Sequence, residues 1–238
     1  MYQFFLDEDI QIGQRITLSK AQEHHAKDVL RLNKEIVRLV ANEKGYFGVA
    51  ENTKEGFFIT IQEEDTQEKE LPVEVTLLFA LIRKEKFEWV LQKATELGVK
   101  QIVPIVSKYC VVQPKKDKEA KQIERWQAIV EAASSQCKRN WIPTVHPVCE
   151  LKDCQKYLSD LNLMAYEKEN ESLPLSKRLE KKNITILIGP EGGFSKEEVE
   201  ACTKLGFASC SLGARILRAE TAAIYMMSVI NDWMMGNE

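Results

Sequence analysis

The chain has 238 residues, a net charge of −3 and 29% charged residues, which suits one large domain or a small one joined to a medium one. That charge argues against non-specific coating of nucleic acid while leaving a local basic face open, and no apolar run approaches the roughly 20 residues of a membrane-spanning helix. Met1 to Asp9 turns acidic too early for a signal peptide. Six cysteines without a CxxC pair, beside three histidines, offer neither a disulfide framework nor zinc-ligand spacing. A cytoplasmic protein with reduced thiols and no metal is expected.

Up to about residue 66 the chain carries short strand-like pieces: Arg15–Leu18, Ile36–Val40, Tyr46–Ala50 and Phe57–Ile61. Gly13, Asn42, Gly45, Asn52 and Gly56 separate them closely, which suggests a small β-barrel. One helical piece interrupts them, Lys20 to Leu32, with Ser19 as its cap. The charged run Glu63–Glu70, closed by Pro72, reads as a linker, so the expected domains are residues 1–70 and 73–238.

From Val73 the rhythm becomes alternation of strand and helix. Val73–Ile82 reads as a strand, Phe87–Leu97 as a helix stopped by Gly98, and Ile102–Val106 as the next strand. A long helix follows near Glu119–Ser135, then strand Asn162–Tyr166 and a helix near Leu175–Glu180. The alternation argues for an α/β fold, a parallel sheet with helices on both faces. The last helix, Ala222–Met235, has too few polar positions for one wet face, so it is a core helix or meets another subunit, the second being favoured.

Two glycine-bearing turns stand out. Ile184–Ile188 reads as a strand buried on both faces and feeds Gly189-Pro190-Glu191-Gly192-Gly193-Phe194, after which Ser195 and Glu198 have capping-box spacing. Strand Ala208–Leu212 feeds Gly213-Ala214-Arg215-Ile216-Leu217-Arg218, after which Glu220 or Thr221 would cap the last helix. Such turns at one sheet edge bring backbone close to a ligand at the carboxyl ends of the strands. Neither has G-x-G-x-x-G nor the Lys-Ser/Thr pair of a phosphate-binding loop. The clusters Arg83–Lys86, Lys115–Lys118 and Lys138-Arg139 are solvated surface or places for RNA contact.

The paired segments Gly189–Phe194 and Leu212–Ala222 resemble the signature of the ribosomal small-subunit methyltransferase E family. His24-His25 with Val29-Leu30-Arg31, Lys86–Val99 and Gln136–Arg139 resemble further family motifs in the family's order. Where the family usually has an arginine ahead of the first aromatic residues, this chain has Gln3. The resemblance implies a SPOUT-class trefoil-knotted domain with an amino-terminal PUA-like barrel, although topology rules alone would exclude a knot. It implies a homodimer through the carboxy-terminal domain that uses S-adenosylmethionine to methylate uridine N3 in 16S rRNA, naked or in the assembled small subunit. The cofactor is expected against Leu187, Gly189, Gly193, Leu212, Gly213, Ile216 and Leu217. Arg218 is expected to stabilise charge on the deprotonated uracil, and Glu220 to orient Arg218, take the proton or simply cap the helix. Arg31, Lys138 and Arg139 are candidates for phosphate contact. A non-catalytic RNA-binding protein and a phosphate-ligand enzyme are the other classes weighed; the Arg218 and Glu220 pair counts against the first and the missing Lys-Ser/Thr pair against the second.

Overall fold

The computed structural model describes residues 1–114, 116–166 and 174–236. Lys115, in one of the basic clusters, lies outside them. The chain divides into two compact units, Met1–Glu70 with Ser134–Trp141, and Leu71–Ala133 with Ile142–Glu238.

The first unit is built on strands β1 (Gln3–Leu6), β2 (Arg15–Ile16), β3 (Ile36–Ala41), β4 (Lys44–Thr53) and β5 (Gly56–Asp65), with helix α1 (Lys20–His24) between β2 and β3. The sheet order is β1-β3-β4-β5-β2; β1 runs parallel to β3 and the other neighbours are antiparallel. Alternation sends Val37 and Leu39, Ala50, and Phe57, Ile59 and Ile61 into one core, where Phe4, Ile16, Leu18 and Ala26 join them. A bulge falls at Phe47/Gly48, and a Cβ on Gly48 would stand 2.7 Å from Ile59 Cγ2, so only glycine lets β4 lie this close to β5. Ser19 caps α1 through a capping box with Gln22. The helix expected to reach Leu32 instead continues as a π-helical turn over His25–Val29. Arg31 follows with φ +56°, in a left-handed bend and not on a helix.

The expected linker at 63–70 is largely part of this unit. Asp65 ends β5 and accepts from Arg38 Nε at 2.8 Å. Arg38, only 1% exposed, also donates through Nη1 to Gln3 Oε1 (2.8 Å) and through Nη2 to Asn140 Oδ1 (2.6 Å). A Cβ on Gly45 would stand 2.8 Å from the Arg38 Cζ, so glycine there makes room for the guanidinium. Burial pushes the Asp65 carboxyl up, but the hydrogen bonds from Arg38 and the Gln67 N–H, with the charges of Arg38 and Lys69, hold it below its ordinary value. Gln3 Nε2 donates to the Arg139 carbonyl at 2.8 Å, and Glu70 accepts from the Arg139 guanidinium and from the Asn140 and Trp141 N–H groups. These bonds bind Ser134–Trp141 into the first unit.

The second unit holds β6 (Val75–Ala80), α2 (Lys84–Glu96), β7 (Gln101–Val106), most of α3 (Glu119–Cys137), β8 (Thr144–Val145), β9 (Cys149–Glu150), β10 (Leu161–Ala165), β11 (Ile184–Ile188), α4 (Lys196–Lys204), β12 (Ala208–Cys210) and α5 (Ala219–Gly236). The sheet runs β12-β10-β11-β6-β7-β8, with β9 also on β7, and every pairing is parallel. Buried on both faces, its strands read as continuous apolar runs. Leu77 and Phe79 of β6 and Ile184, Ile186 and Ile188 of β11 pack beneath α2, α3 and α5; Leu78, Ala80 and Leu187 face the opposite core with Phe194 and Cys202 of the α4 side. Phe87 of α2 anchors the first of these, its ring 5.4 Å from Phe79 and 4.6 Å from Trp126.

Several expectations change. The Leu175–Glu180 helix is a single 3₁₀ turn, Leu175–Lys177. Helix α5 starts at Ala219, so Glu220 and Thr221 lie inside its first turn and neither is its cap. The apolar side of α5 is mostly buried within the chain through Ala222, Ala223, Met226, Met227, Ile230 and Met234, while Tyr225 and Met235 remain about half exposed. Among the described residues no helix is long and apolar enough to cross a membrane, and no group of His, Cys, Asp and Glu could hold a metal ion.

Candidate active site

The carboxyl end of β10, with Tyr166, and the loops that leave its sheet neighbours β11 and β12 open on one cavity of about 280 Å³. Its walls are Ala165 and Tyr166 after β10, Ile188 to Phe194 after β11, and Leu212 to Ala219 with Ala222 after β12. The cavity lies where an open α/β sheet places ligands, at the carboxyl ends of its strands.

The first wall is a tight turn in which the Gly193 N–H donates to the Pro190 carbonyl at 2.9 Å. Gly193 has φ +69°, which favours glycine. A Cβ on Gly189 would stand 3.0 Å from Phe194 Cε2, so the turn closes over the Phe194 ring. The Ser195 hydroxyl then accepts from the Glu198 N–H (3.3 Å) while Glu198 accepts from the Ser195 N–H (2.8 Å), the capping box that the spacing announces.

In the second wall, Gly213 has φ +110° with open space where a Cβ would point, and its N–H donates to Ser211 Oγ at 3.3 Å. Leu212 and Leu217 pack partly onto the core beneath α5, whereas Ile216 is 83% exposed at the cavity rim. Arg215 and Arg218 are exposed there too, and the Arg218 carbonyl accepts the first helical bond from the Ala222 N–H (2.8 Å). Among the described residues nothing covers this apolar side chain between two cations.

Expected site residues fall into three groups. Gly189, Gly193, Leu212, Gly213, Ile216, Leu217 and Arg218 line the cavity together. Leu187 does not; it is fully buried on the opposite face of β11, and Ile188 takes the lining position. Glu220 is not on the wall either. Its Oε1 pairs with Lys86 Nζ at 2.6 Å, and its Oε2 is buried with no hydrogen-bond partner among the described residues. Burial pushes the Glu220 carboxyl up, but the hydrogen bonds from Lys86 and its own backbone N–H, with the charges of Lys86 and Arg218, outweigh it and hold it below the ordinary glutamate value. A carboxylate held low is a weak base at neutral pH, which counts against the proton-acceptor role.

Of the phosphate candidates, Arg31 is exposed in its left-handed bend. Lys138 has φ +67° and donates to the Ser135 carbonyl at 2.9 Å; burial, then the charge of Arg38, pushes its ammonium below the usual lysine range. Arg139 is the correction: it is 3% exposed and paired with Glu70 at 2.5 Å, so its charge is used inside the first unit. Sequence reasoning also missed Tyr166 and Arg215 on the cavity wall and the pairing of Lys86 with Glu220. Arg215 stood in the quoted motif, and Lys86 in a basic cluster with no sign of its partner.

Residues 69–231, which carry the parallel sheet, the paired turns and the arginine rim, match the RNA methyltransferase domain family, and that class is the chain's own. The Bacillus subtilis (strain 168) ribosomal RNA small subunit methyltransferase E is 29% identical over 97% of this chain and 96% of its own length. That of Mesomycoplasma hyopneumoniae is 31% identical over 96% of this chain and 98% of its own. The chain belongs to the ribosomal RNA small subunit methyltransferase E family. A crystal structure of the Neisseria gonorrhoeae protein of that name bound to S-adenosylmethionine has a TM-score of 0.85 at 30% identity, covering 95% of both chains.

Proposed function

We propose that this protein is an S-adenosylmethionine-dependent methyltransferase that modifies N3 of a uridine in the 16S rRNA of the small ribosomal subunit. The observation that carries the reading is the joining of both glycine turns around one cavity with Arg218 on its rim. Membership of the family supports the cofactor and the rRNA substrate.

The residues present fit the cofactor. Gly189 and Gly213 leave backbone bare at the walls, Ile188, Leu217 and Ala222 supply an apolar floor, and Tyr166 and Ile216 flank the opening. Gly189, Gly193, Leu212 and Gly213 would hold it through backbone groups, with Ile216 and Leu217 against its adenine. When bound, it supplies an electrophilic methyl group on a sulfonium.

Uracil N3 must lose its proton to become nucleophilic, and the imide charge then spreads onto the flanking carbonyl oxygens. Arg218 carries its charge at any physiological pH and stands at the cavity rim, where that charge would form. The turns fix the relative placement of the reactants, which supplies much of the rate in a displacement of this kind. Because N3 lies on the pairing edge, the target base must be unpaired or drawn out of its stack.

Arg31 and Lys138 are the phosphate contacts we assign to RNA. Residues 1–70 would form the PUA-like RNA-holding barrel and residues 73–238 the trefoil-knotted SPOUT domain, with Ser134–Trp141 serving the former. The half-exposed Tyr225 and Met235 of α5, and the exposed Ile216 lip, suit a homodimer through this domain. An rRNA substrate suits a cytoplasmic protein.

The test is incubation with methyl-labelled S-adenosylmethionine and either small ribosomal subunits or naked 16S rRNA, followed by digestion to nucleosides. Labelled N3-methyluridine is expected from one or both. Label on another nucleoside overturns the N3 assignment, and cofactor binding without any label favours a binding protein.

A further inference from the structure

Lys86 has no role in the reading above, yet its setting is unusual for a surface lysine. It sits in the first turn of α2, next to Phe87, whose ring is locked against Phe79 and Trp126, so the backbone that carries it is rigid. Its ammonium reaches Glu220 Oε1 at 2.6 Å, with side-chain exposures of 32% for the lysine and 14% for the glutamate. A tie between α2 and α5 would account for that bond alone. It does not account for the other carboxylate oxygen, Oε2, which is buried and has no donor among the described residues. An acceptor of this kind has given up water without gaining a donor of its own, although Lys86 keeps the carboxylate as a whole charged.

Arg218 stands two residues before Glu220, at the cavity rim and exposed, and its charge already acts on the Glu220 carboxyl. A guanidinium offers five donors, more than one target can use. One edge facing the uracil oxygens leaves another for a carboxylate.

We propose that Lys86 is a positioning residue for methyl transfer: it clamps Glu220 by one oxygen so that the other receives the Arg218 guanidinium once the cavity is filled, fixing the arginine over the reacting base. The inference rests on the function proposed above. No bond is made or broken by Lys86 or Glu220; the lysine stays charged and the carboxylate ionised throughout. The arrangement puts the electrostatic stabiliser on a rigid helix pair, through a two-step relay, instead of leaving it on a loop.

The experiment compares the full-length wild type with Lys86→Met, Lys86→Arg and Glu220→Gln. Steady-state methyl transfer to small subunits gives kcat and KM, calorimetry gives the cofactor Kd, and nitrogen-15 NMR follows the arginine Nε–H signals, with that of Arg218 assigned through Arg218→Lys. Lys86→Met should lower kcat about 10–100-fold, the range expected when a reacting group is misplaced by a distant change, with cofactor Kd and KM within about twofold. Lys86→Arg should recover most of the loss, and Lys86→Met combined with Glu220→Gln should be no worse than either alone. The Arg218 Nε–H should become exchange-protected when S-adenosylmethionine binds the wild type, and lose that protection in Lys86→Met and Glu220→Gln.

An unchanged kcat in Lys86→Met, or an Arg218 signal that responds to cofactor identically in all variants, overturns the inference. A fall in thermal stability with kcat, KM and Kd all worsening together also overturns it, because that is what a purely structural tie gives. If the wild type itself methylates no rRNA, the functional reading fails, and the NMR comparison still decides whether Lys86 and Glu220 hold Arg218.

Discussion

Gly189→Ala tests whether the first glycine turn is a cofactor wall. Gly189 does not have the left-handed backbone of Gly193 or Gly213, so alanine is conformationally permitted and the effect must come from contact. The added Cβ would meet Phe194 Cε2, Cζ and Cδ2 at 3.0, 3.1 and 3.2 Å, where about 3.5–4.0 Å is comfortable for carbon atoms. The ring is 7% exposed and packed among Leu78, Leu187 and Cys202, so it has little room to yield. Overpacking of this kind costs about 1–3 kcal/mol, which in a chain of this size corresponds to a Tm lower by roughly 2–4 °C per kcal/mol. If the turn yields instead of the ring, it moves into the cavity, and S-adenosylmethionine affinity measured by calorimetry should fall about 10–100-fold, or roughly 1.4–2.7 kcal/mol. Gly189→Ala with Phe194→Leu should restore much of the affinity by relieving the contact. Unchanged cofactor binding in a Gly189→Ala protein that has also lost no thermal stability would refute both the contact and the wall.

Three further outcomes follow from the same geometry. Arg218→Ala should reduce the rate of methyl transfer about 10²–10³-fold, the range for loss of one donor to a developing oxyanion, while leaving cofactor affinity intact; full activity would remove it from the mechanism. Arg38→Met leaves the largely buried Asp65 carboxylate with only the Gln67 N–H and a Lys69 ammonium at 3.9 Å, so denaturant unfolding followed by tryptophan fluorescence should show a loss of about 3 kcal/mol, and no shift in midpoint would mean that the pair is not buried in solution. Asp65 and Glu220 both titrate below their ordinary values of 3.8 and 4.5; a lowered folded pKa gives stability that is complete above those values and disappears as pH falls through the folded ones. Thermal unfolding should therefore be nearly flat with respect to these two groups from pH 7 down to about 5 and weaken below about 4, and Asp65→Asn should flatten the acid limb.

What the sequence made legible was local. The branched apolar run Ile184–Ile188, the glycines after it and the Ser195/Glu198 spacing specify strand, turn and capped helix within fifteen residues, and the second turn repeats the strand and the turn but not the expected cap. What stayed hidden depends on partners far along the chain. Arg139 looked like surface charge because nothing nearby announces Glu70, 69 residues away. The same is true of Lys86 and Glu220. Strand β1 carries Gln3, a residue that weakens a strand reading until Arg38 and the Arg139 carbonyl are seen to satisfy its amide. Leu187 and Ile188 were indistinguishable because a strand buried on both faces has no polar alternation to tell which parity faces the site.

The assignment of Ser134–Trp141 to the first unit has a consequence for how this protein can be taken apart. The chain passes between units after Glu70, after Ala133 and again after Trp141, so no single cut releases the smaller one. A fragment ending at Glu70 would keep Gln3, Arg38 and Glu70 but lack Arg139 and Asn140, leaving a buried cation short of an acceptor and a carboxylate facing water. The smaller unit is therefore not a portable module that can be grafted or inherited by itself. Lineages that exchange it must exchange the end of a helix from the other unit with it.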